Sequence, residues 1–160
     1  EEVLRAFDGP VLLDADALRP EIIDALARPE LAILTPHAGE LARLAGGKIP
    51  EGADALKSFC RERGGVSMIL KGPLSRICDT DRVLVNYRGG PVLARGGSGD
   101  LLAGIAGGLL ARGRKPLEAA ALGSLWHGVA ADCLARQRGQ EAVAITELLD
   151  HLAFALRNDV

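Results

Sequence analysis

Residues 31–47 read LAILTPHAGELARLAGG, and they contain one complete strand-to-helix unit. The apolar run at the start predicts a short buried strand that Thr35 and Pro36 close. The rest predicts a short helix that stops at Gly46 and Gly47, because glycine readily takes the left-handed conformation in which helices commonly end. A strand followed directly by a helix is the repeating unit of α/β layer folds.

The same alternation continues on both sides of this unit. PVLLDAD (10–16) and GVSMILKG (65–72) are apolar runs that predict two more buried strands. Short helices are predicted over RPEIIDALARP (19–29), which carries an early proline, and over 51–63. This alternation predicts an α/β fold with a largely parallel sheet flanked by helices.

The pattern changes after the third strand. RICDTDRVLVNYRGGP (76–91) holds two short apolar runs around a polar turn, which predicts a β-hairpin. Three helices are predicted after it, over 100–112, about 116–137 and 147–157, with Thr146 as the N-cap of the last.

The composition argues against two classes of partner. Of the 160 residues, 48% are apolar and 25% are charged, and 19 basic against 21 acidic residues give a net charge of −2. Without a basic block, we expect neither nucleic acid nor a membrane surface as the partner. The longest apolar run, 101–111, is far shorter than the roughly 20 residues that cross a membrane.

Cysteine usage and length bear on location and domain count. Cys60, Cys78 and Cys133 are odd in number and lack a metal-like spacing, which favours a reducing, cytoplasmic setting. The length is that of one domain. The chain starts at Glu1 in what reads as the middle of a helix, so we expect residues 1–160 to be the C-terminal portion of one longer domain.

A glycine-rich loop leads into the first of the three late helices. Residues 94–113 read ARGGSGDLLAGIAGGLLARG. Glycines let the backbone amides of residues 96–99 converge, and the helix behind them adds the positive end of its dipole, so the loop predicts an anion site. Asp100 lies in the first helical turn, and a phosphate site beside a carboxylate is what phosphoryl transfer to an alcohol requires. The alternative is an ordinary loop with an acidic helix start.

The helix itself carries a stripe of small residues at Gly104, Gly107, Gly108 and Ala111. Each glycine in a helix interior costs roughly 1 kcal/mol relative to alanine. The stripe therefore predicts close approach of another backbone or of a ligand, and close packing between helices explains it equally well.

Several motifs together resemble a known family. The 94–113 stretch resembles the closing motif of ribokinase-like small-molecule kinases. TPHAGE (35–40), LLDADAL (12–18), LKG (70–72) and LWHGVAAD (125–132) are similar to the corresponding segments of ADP- or ATP-dependent NAD(P)H-hydrate dehydratases, in the family's order along nearly the whole chain. The resemblance implies a ribokinase-like layered α/β fold whose N-terminal part is missing from this sequence.

The resemblance also implies an activity. Members of the family repair NADH and NADPH in which water has added to the dihydronicotinamide ring. A nucleotide phosphorylates the added hydroxyl, and phosphate then leaves. ADP or ATP is the implied phosphoryl donor, Mg²⁺ is the expected cofactor, and the expected partners are this nucleotide, hydrated NADH or NADPH, and further copies of the chain in a homo-oligomer.

Roles follow from the matched motifs. The resemblance implies that Asp100 is the catalytic base and touches the substrate hydroxyl, and that His37 contacts the hydrated nicotinamide nucleotide. It implies an anion hole made by the amides of Gly97, Ser98 and Gly99. The implied nucleotide site comprises the residues that follow the third strand, together with one glycine of the loop: Lys71, Gly72, Pro73, Leu74, Ser75 and Gly99.

Each role has a structural alternative. His37 is also compatible with a surface histidine at a helix start, and Lys71 with a solvated lysine at a strand end. His127 is expected to be a packed structural histidine, and His151 needs no function. No residue is assigned to a metal.

Two acidic residues and three departures from the family pattern leave questions open. Asp14 and Asp16 either orient a hydrated Mg²⁺ or cap a turn, and we favour capping. Ala38 stands where the family usually has proline. Leu74 replaces a glycine that lets the nucleotide approach, and Arg95, before the glycines, is expected to add a phosphate contact.

Two other functions remain open at this stage. One is a kinase for a vitamin precursor or sugar that uses the same Asp100 and anion hole. The other is a non-catalytic nucleotide-binding remnant that keeps the loop as architecture. The TPHAGE motif argues against the first of these.

Overall fold

The computed structural model describes residues 1–141 and 143–155. Its sheet has five strands in the order β1-β2-β3-β4-β5. The strands are β1 Val11–Leu13, β2 Ala32–Leu34, β3 Ser67–Leu70, β4 Ser75–Cys78 and β5 Val83–Asn86. The first three are parallel, with Leu12 opposite Ile33 and Ile33 opposite Ser67. Strand β4 is antiparallel to both β3 and β5, so it alone runs against the other strands, and it forms the predicted hairpin with β5.

Seven α-helices surround the sheet in the described residues: α1 Glu2–Ala6, α2 Pro20–Ile23, α3 Ala38–Leu44, α4 Gly52–Glu62, α5 Ser98–Ala111, α6 Pro116–Arg138 and α7 Leu148–Ala155. Short 3-10 turns precede several elements, among them Gly90–Leu93 and Ile145–Glu147. The strands are three or four residues long, shorter than the apolar runs that predict them.

Helices cover both faces of the sheet. Successive residues of a strand point to opposite sides, so they join different apolar clusters. Leu34 and Met68 belong to the apolar cluster that also contains residues of α2, α3 and α4. Their neighbours Ile33 and Ile69 pack instead in the cluster formed with α5 and the start of α6. The predicted layered α/β fold with a largely parallel sheet is therefore confirmed.

Helices α5 and α6 cross closely at one glycine. A Cβ atom on Gly123 would lie 2.9 Å from the Cβ of Ala106 and 3.0 Å from its Cα, so only glycine fits there. The small residues of the stripe predicted on α5 do not form this close contact, which involves Ala106 instead. Gly104 and Gly108 are exposed, and among the described residues nothing lies within 4 Å of a Cβ added to either. The close approach that we expected at the stripe is thus found on its partner helix.

Two details of the later helices differ from prediction. The helix expected at 100–112 begins at Ser98, because Gly97 takes the left-handed conformation at φ +87° and serves as its N-cap. Thr146 is not the N-cap of the last helix; it lies inside the 3-10 turn that leads into α7. The end of the predicted 147–157 helix falls partly outside the described residues.

All three cysteines are free and buried. The Sγ atoms of Cys60 and Cys78 lie 3.7 Å apart in the core between α4 and β4. The hydrogen bond with Cys78 and the burial both raise the pKa of the Cys60 thiol, so this thiol stays protonated. Within the described part of the chain, none of the helices is long and apolar enough to cross a membrane.

Candidate functional site

A cavity of about 590 Å³ opens where the parallel strands end and α5 begins. One side, which we call the charged wall, includes His37, Lys71 and Gly99. We call Pro91, Leu93, Leu102 and His127 the apolar wall; Arg88 and Arg95 belong to the same lining, with their guanidiniums bound to Asp132 and to the carbonyls of Gln140 and Glu141. Cavities of this size and mixed lining accommodate small organic ligands.

The backbone of the sheet itself brings His37 and Lys71 together. Beyond the ends of β2 and β3, these two residues form a parallel β-bridge. The Lys71 amide donates a hydrogen bond to the Pro36 carbonyl at 2.8 Å. Parallel strands expose their carboxyl ends at the same edge, which is where open α/β sheets bind ligands.

Lys71 is held by two carboxylates. Its Nζ donates to Asp14 Oδ1 at 2.8 Å and lies 3.9 Å from Glu40 Oε2. Glu40 is only 6% exposed, so its charge requires these partners. Asp14 is the N-cap residue of a 3-10 turn, but its side chain accepts no hydrogen bond from that turn within the described structure. The capping role that we favoured for Asp14 is therefore wrong, and the side chain pairs with Lys71 instead.

His37 caps α3 with its ring. Nδ1 accepts hydrogen bonds from the amides of Gly39 at 3.0 Å and Glu40 at 3.2 Å, and Glu40 Oε2 in turn accepts from the His37 amide at 2.7 Å. This is a capping box with histidine in the first position. Because Nδ1 accepts, the ring proton is on Nε2, which lies 3.5 Å from Glu40 Oε1. The ring is more than half exposed, so Nε2 is a donor available to a ligand.

The glycine-rich loop lies directly beside the Lys71–Asp14 pair. A Cβ atom on Gly99 would stand 3.5 Å from Lys71 Nζ and 3.6 Å from Asp14 Oδ2. The amide of Ser98 donates to the Arg95 carbonyl at 3.2 Å, whereas the described residues provide no hydrogen-bond partner for the amide of Gly99. A free amide at a helix start beside an ammonium group favours an anion.

Asp100 occupies the same turn of α5 and is exposed. Within residues 1–141 and 143–155, its carboxylate has no ion pair or hydrogen bond. It is thus the uncommitted carboxylate next to the loop, whereas Asp14 and Glu40 are engaged by Lys71.

The segment 88–95 reaches the cavity through contacts with α6. A Cβ atom on Gly128 would lie 2.7 Å from the Arg88 Cβ and 2.8 Å from the Arg88 carbonyl oxygen. The Gly89 amide donates to Asp132 Oδ1 at 3.0 Å, and Asp132 Oδ2 lies 3.5 Å from the Arg88 guanidinium. This part of the wall is therefore fixed to α6 by backbone contact.

Arg95 has a different role from the one expected. Its Nη2 donates to the carbonyls of Gln140 at 2.9 Å and Glu141 at 2.6 Å. The guanidinium is used to hold the chain after α6, so the phosphate contact that we expected from it is not supported by this geometry. Its side chain still lines the cavity.

His127 is buried in the apolar wall and is 4% exposed. Among the buried side-chain nitrogen and oxygen atoms of the described residues, its Nε2 is the one that has no hydrogen-bond partner. Burial lowers the pKa of this histidine to about 4, so the ring is neutral near pH 7. The expectation of a packed histidine is confirmed for its burial, but packing does not account for the missing partner.

Most of the predicted site residues meet in this one cavity. The residues of the predicted set that line it are His37, Lys71, Gly72, Pro73, Ser75, Ser98 and Gly99. Gly97 and Asp100 adjoin Ser98 and Gly99 in the chain without belonging to the lining, and the Leu74 side chain is 48% exposed. His151 contacts Gln137 and the Glu147 carbonyl, away from the cavity lining. Asp16 is exposed.

Sequence reasoning missed Glu40 as a site residue. The signal was present in TPHAGE, because a capping residue followed three positions later by glutamate is the capping-box pattern. Reading histidine as the capping residue would have placed Glu40 beside His37. Its second contact, with Lys71, depends on the pairing of β2 with β3 and has no local signature.

The chain is similar in sequence and fold to known proteins. Residues 1–153 match the family model for NAD(P)H-hydrate dehydratase. A bifunctional NAD(P)H-hydrate repair enzyme from Moorella thermoacetica is 42% identical over 166 residues, covering 99% of this chain and 31% of that protein.

Two solved structures share the fold. The ADP/ATP-dependent NAD(P)H-hydrate dehydratase from Bacillus subtilis, co-crystallised with ATP and Mg²⁺, has a TM-score of 0.77 and 27% identity over 98% of this chain and 57% of that one. A ribokinase-like superfamily protein from Enterococcus faecalis has a TM-score of 0.84 and 26% identity over 98% of this chain and 56% of its own. The chain thus spans about a third of the Moorella relative and somewhat more than half of each solved protein.

Proposed function

The chain belongs to the NAD(P)H-hydrate dehydratase family. We propose that it carries the phosphoryl-transfer residues of a nucleotide-dependent dehydratase that repairs hydrated NADH and NADPH. The proposal rests chiefly on one juxtaposition: Gly99, whose amide has no partner among the described residues, adjoins Lys71, and Asp100 lies in the same helical turn. Residues 1–160 would then be the C-terminal portion of a single ribokinase-like domain.

In the proposed reaction, Asp100 accepts the proton of the substrate hydroxyl. The hydroxyl oxygen attacks the terminal phosphorus of the nucleotide, and the bond from that phosphorus to the bridging oxygen breaks. The loop amides and Lys71 stabilise the charge on the transferred phosphoryl group. Phosphate then leaves the ring carbon as the ring nitrogen donates its electron pair, and loss of a ring proton restores the dihydronicotinamide double bond.

Binding roles are assigned to the same surface. We assign His37 Nε2 as a donor to the hydrated nicotinamide nucleotide, and the engagement of Nδ1 by the start of α3 supports this assignment. Lys71 to Ser75 would hold the nucleotide. Leu74 would contribute through its backbone, because its side chain is turned outward.

Mg²⁺ would enter with the nucleotide. No group of three or more potential metal ligands occurs among the residues that the structure describes. The donor set fits Mg²⁺ all the same, because this ion commonly uses one or two carboxylates, phosphate oxygens and waters. Asp14 and Glu40 are the buried or half-buried carboxylates at the phosphate end, and Mg²⁺ there would neutralise phosphate charge.

One assay tests the proposed function directly. The protein in its full natural length is mixed with chemically hydrated NADH, Mg²⁺ and either ADP or ATP, and the return of dihydronicotinamide absorbance is followed. We expect recovery that depends on the nucleotide and is lost when the nucleotide is omitted. Nucleotide-dependent phosphorylation of another alcohol, without recovery of NADH, would contradict the dehydratase and favour a vitamin or sugar kinase.

We further propose a cytoplasmic homo-oligomer. The three free, buried thiols suit a reducing compartment. Strand β5 lies at an edge of the sheet and exposes Leu84 and Val85, and Tyr87 directly after it is exposed as well. Exposed edge strands pair readily with other chains. Light scattering during gel filtration measures the mass, and a single-chain mass at micromolar concentration would contradict the oligomer.

A further inference from the structure

His127 is a buried polar group that the fold leaves unsatisfied. Its Nε2 has no hydrogen-bond partner among the described residues, although the side chain is 96% buried. An orphaned group of this kind is costly, and most buried polar groups in folded proteins do have a partner. The residue also lines the cavity, so a molecule that enters the cavity can supply that partner once the ring turns this nitrogen toward it.

The surroundings of His127 differ from those of Lys71. The next residue on α6, Gly128, packs against the backbone of Arg88, and α6 also contacts the turn Gly90–Leu93. Pro91, Leu93 and Leu102 line this side of the cavity. The ammonium of Lys71 and the free Gly99 amide belong to the charged wall instead. Arg88 and Arg95 also line the cavity, but Asp132 and two backbone carbonyls engage their guanidiniums. Phosphate groups are therefore favoured at the charged wall, and a flat, largely apolar group at the apolar wall.

We propose that His127 recognises the polar edge of the nucleotide's heteroaromatic base. This inference rests on the proposed function, since it assumes that a nucleotide occupies the cavity. A neutral imidazole offers one donor and one acceptor, and the edge of a base presents the same pair of groups. The torsion between an imidazole and its Cβ is intrinsically broad, and this recognition requires the ring to turn a nitrogen toward the cavity when the ligand binds.

Two other roles fit the observations less well. A histidine that stabilises the fold would have its ring nitrogens satisfied by the protein, which is not the case for Nε2. A histidine that binds phosphate would be charged, but burial keeps this one neutral near pH 7. Recognition of a neutral, hydrogen-bonding ligand group agrees with both properties.

The experiment measures binding by calorimetry to the full chain and its variants. Each protein is titrated with ADP and, separately, with inorganic pyrophosphate, which has the phosphates but lacks the base. The variants are His127→Leu, which removes both ring nitrogens, and His127→Asn, which restores a donor and an acceptor. His151→Leu is the matched control, because His151 makes its contacts outside the cavity lining.

We expect His127→Leu to bind ADP about 3- to 10-fold more weakly, the effect of one lost neutral hydrogen bond, with pyrophosphate binding unchanged. His127→Asn should recover part of the loss, and His151→Leu should bind both ligands as the parent does. The Tm of His127→Leu should equal or exceed that of the parent, since an unsatisfied polar group has been replaced by an apolar one.

Three outcomes would overturn the inference while the proposed function stands: unchanged ADP affinity in His127→Leu, an equal loss for ADP and pyrophosphate, or a lowered Tm that accounts for the weaker binding. A parent protein that binds no adenine nucleotide and restores no hydrated NADH would overturn the proposed function, and this inference with it. Activity in the parent therefore separates the two failures.

Discussion

The two walls of the cavity differ in whether their polar side chains have partners within the protein. On the charged wall, Lys71 has a close partner in Asp14 and a second carboxylate, Glu40, within 3.9 Å. On the apolar wall, His127 has an enclosed ring nitrogen without a partner in the described chain. One wall satisfies its charges internally, and the other leaves a hydrogen-bonding group unmatched.

The difference separates two tasks of a binding site. A ligand phosphate near Gly99 competes with Asp14 and Glu40 for Lys71. The free energy gained between phosphate and Lys71 is therefore reduced by the cost of weakening an existing ion pair. At His127, a ligand replaces nothing that the described residues provide. The charged wall is thus suited to positioning for chemistry, and the apolar wall to discrimination between ligands.

The largest effect is expected at Asp100, which neither wall engages. Asp100→Asn should reduce turnover of hydrated NADH by about 10²–10⁴-fold, because a positioned general base is lost. ADP affinity should largely survive, since the loop amides and the apolar wall are unchanged. Steady-state kinetics and calorimetry measure the two quantities, and an Asn variant with a near-normal rate would contradict the role of base.

The second effect concerns the pH dependence of stability. His127 has a folded-state pKa of about 4 against an ordinary value of 6.5, so the unfolded chain binds more protons between these two values. Stability from this group is complete above about pH 6.5 and is lost as the pH falls towards 4. The loss should amount to about 2–3 kcal/mol, an upper estimate.

Urea unfolding at pH 7 and pH 4.5 measures this loss in the parent and in His127→Leu. The carboxylates titrate in both proteins, so the difference between the two pH dependences isolates His127. Arg88 and Arg95 line the same cavity and are present in both proteins, so they do not contribute to the difference. Identical pH dependences would show that the ring is solvated in solution.

The third effect tests how the apolar wall is held. Gly128→Ala places a methyl group 2.7–2.9 Å from Cβ, carbonyl oxygen and carbonyl carbon of Arg88, so backbone must shift. We expect a loss of about 1–3 kcal/mol in the free energy of unfolding, typical of overpacking, and weaker ADP binding as segment 88–93 moves. Gly104→Ala is the matched control, because its added methyl meets open space among the described residues and should stabilise α5 by up to about 1 kcal/mol. Equal responses of the two variants would contradict the close contact.

The sequence predicts the secondary structure around this site better than the side-chain contacts within it. Buried strands and amphipathic helices follow from apolar periodicity, and the glycine loop at 96–99 has a local signature. The partners of Lys71 and Arg95 lie 57 and 45 or 46 residues away along the chain. Such contacts arise from strand pairing and helix packing, so no local pattern reveals that Arg95 holds carbonyls or that His127 lacks a partner.

The smallest effect should be at Leu74, which the sequence comparison singled out as an obstacle to the nucleotide. Its side chain is 48% exposed, while its neighbours Pro73 and Ser75 line the cavity. Leu74→Ala should therefore change ADP affinity by less than about 2-fold, within the range of surface substitutions. Leu149→Ala, on a side chain 51% exposed in α7, is the control. A larger change at Leu74 alone would mean that this side chain folds over the bound nucleotide and acts as a third wall of the cavity.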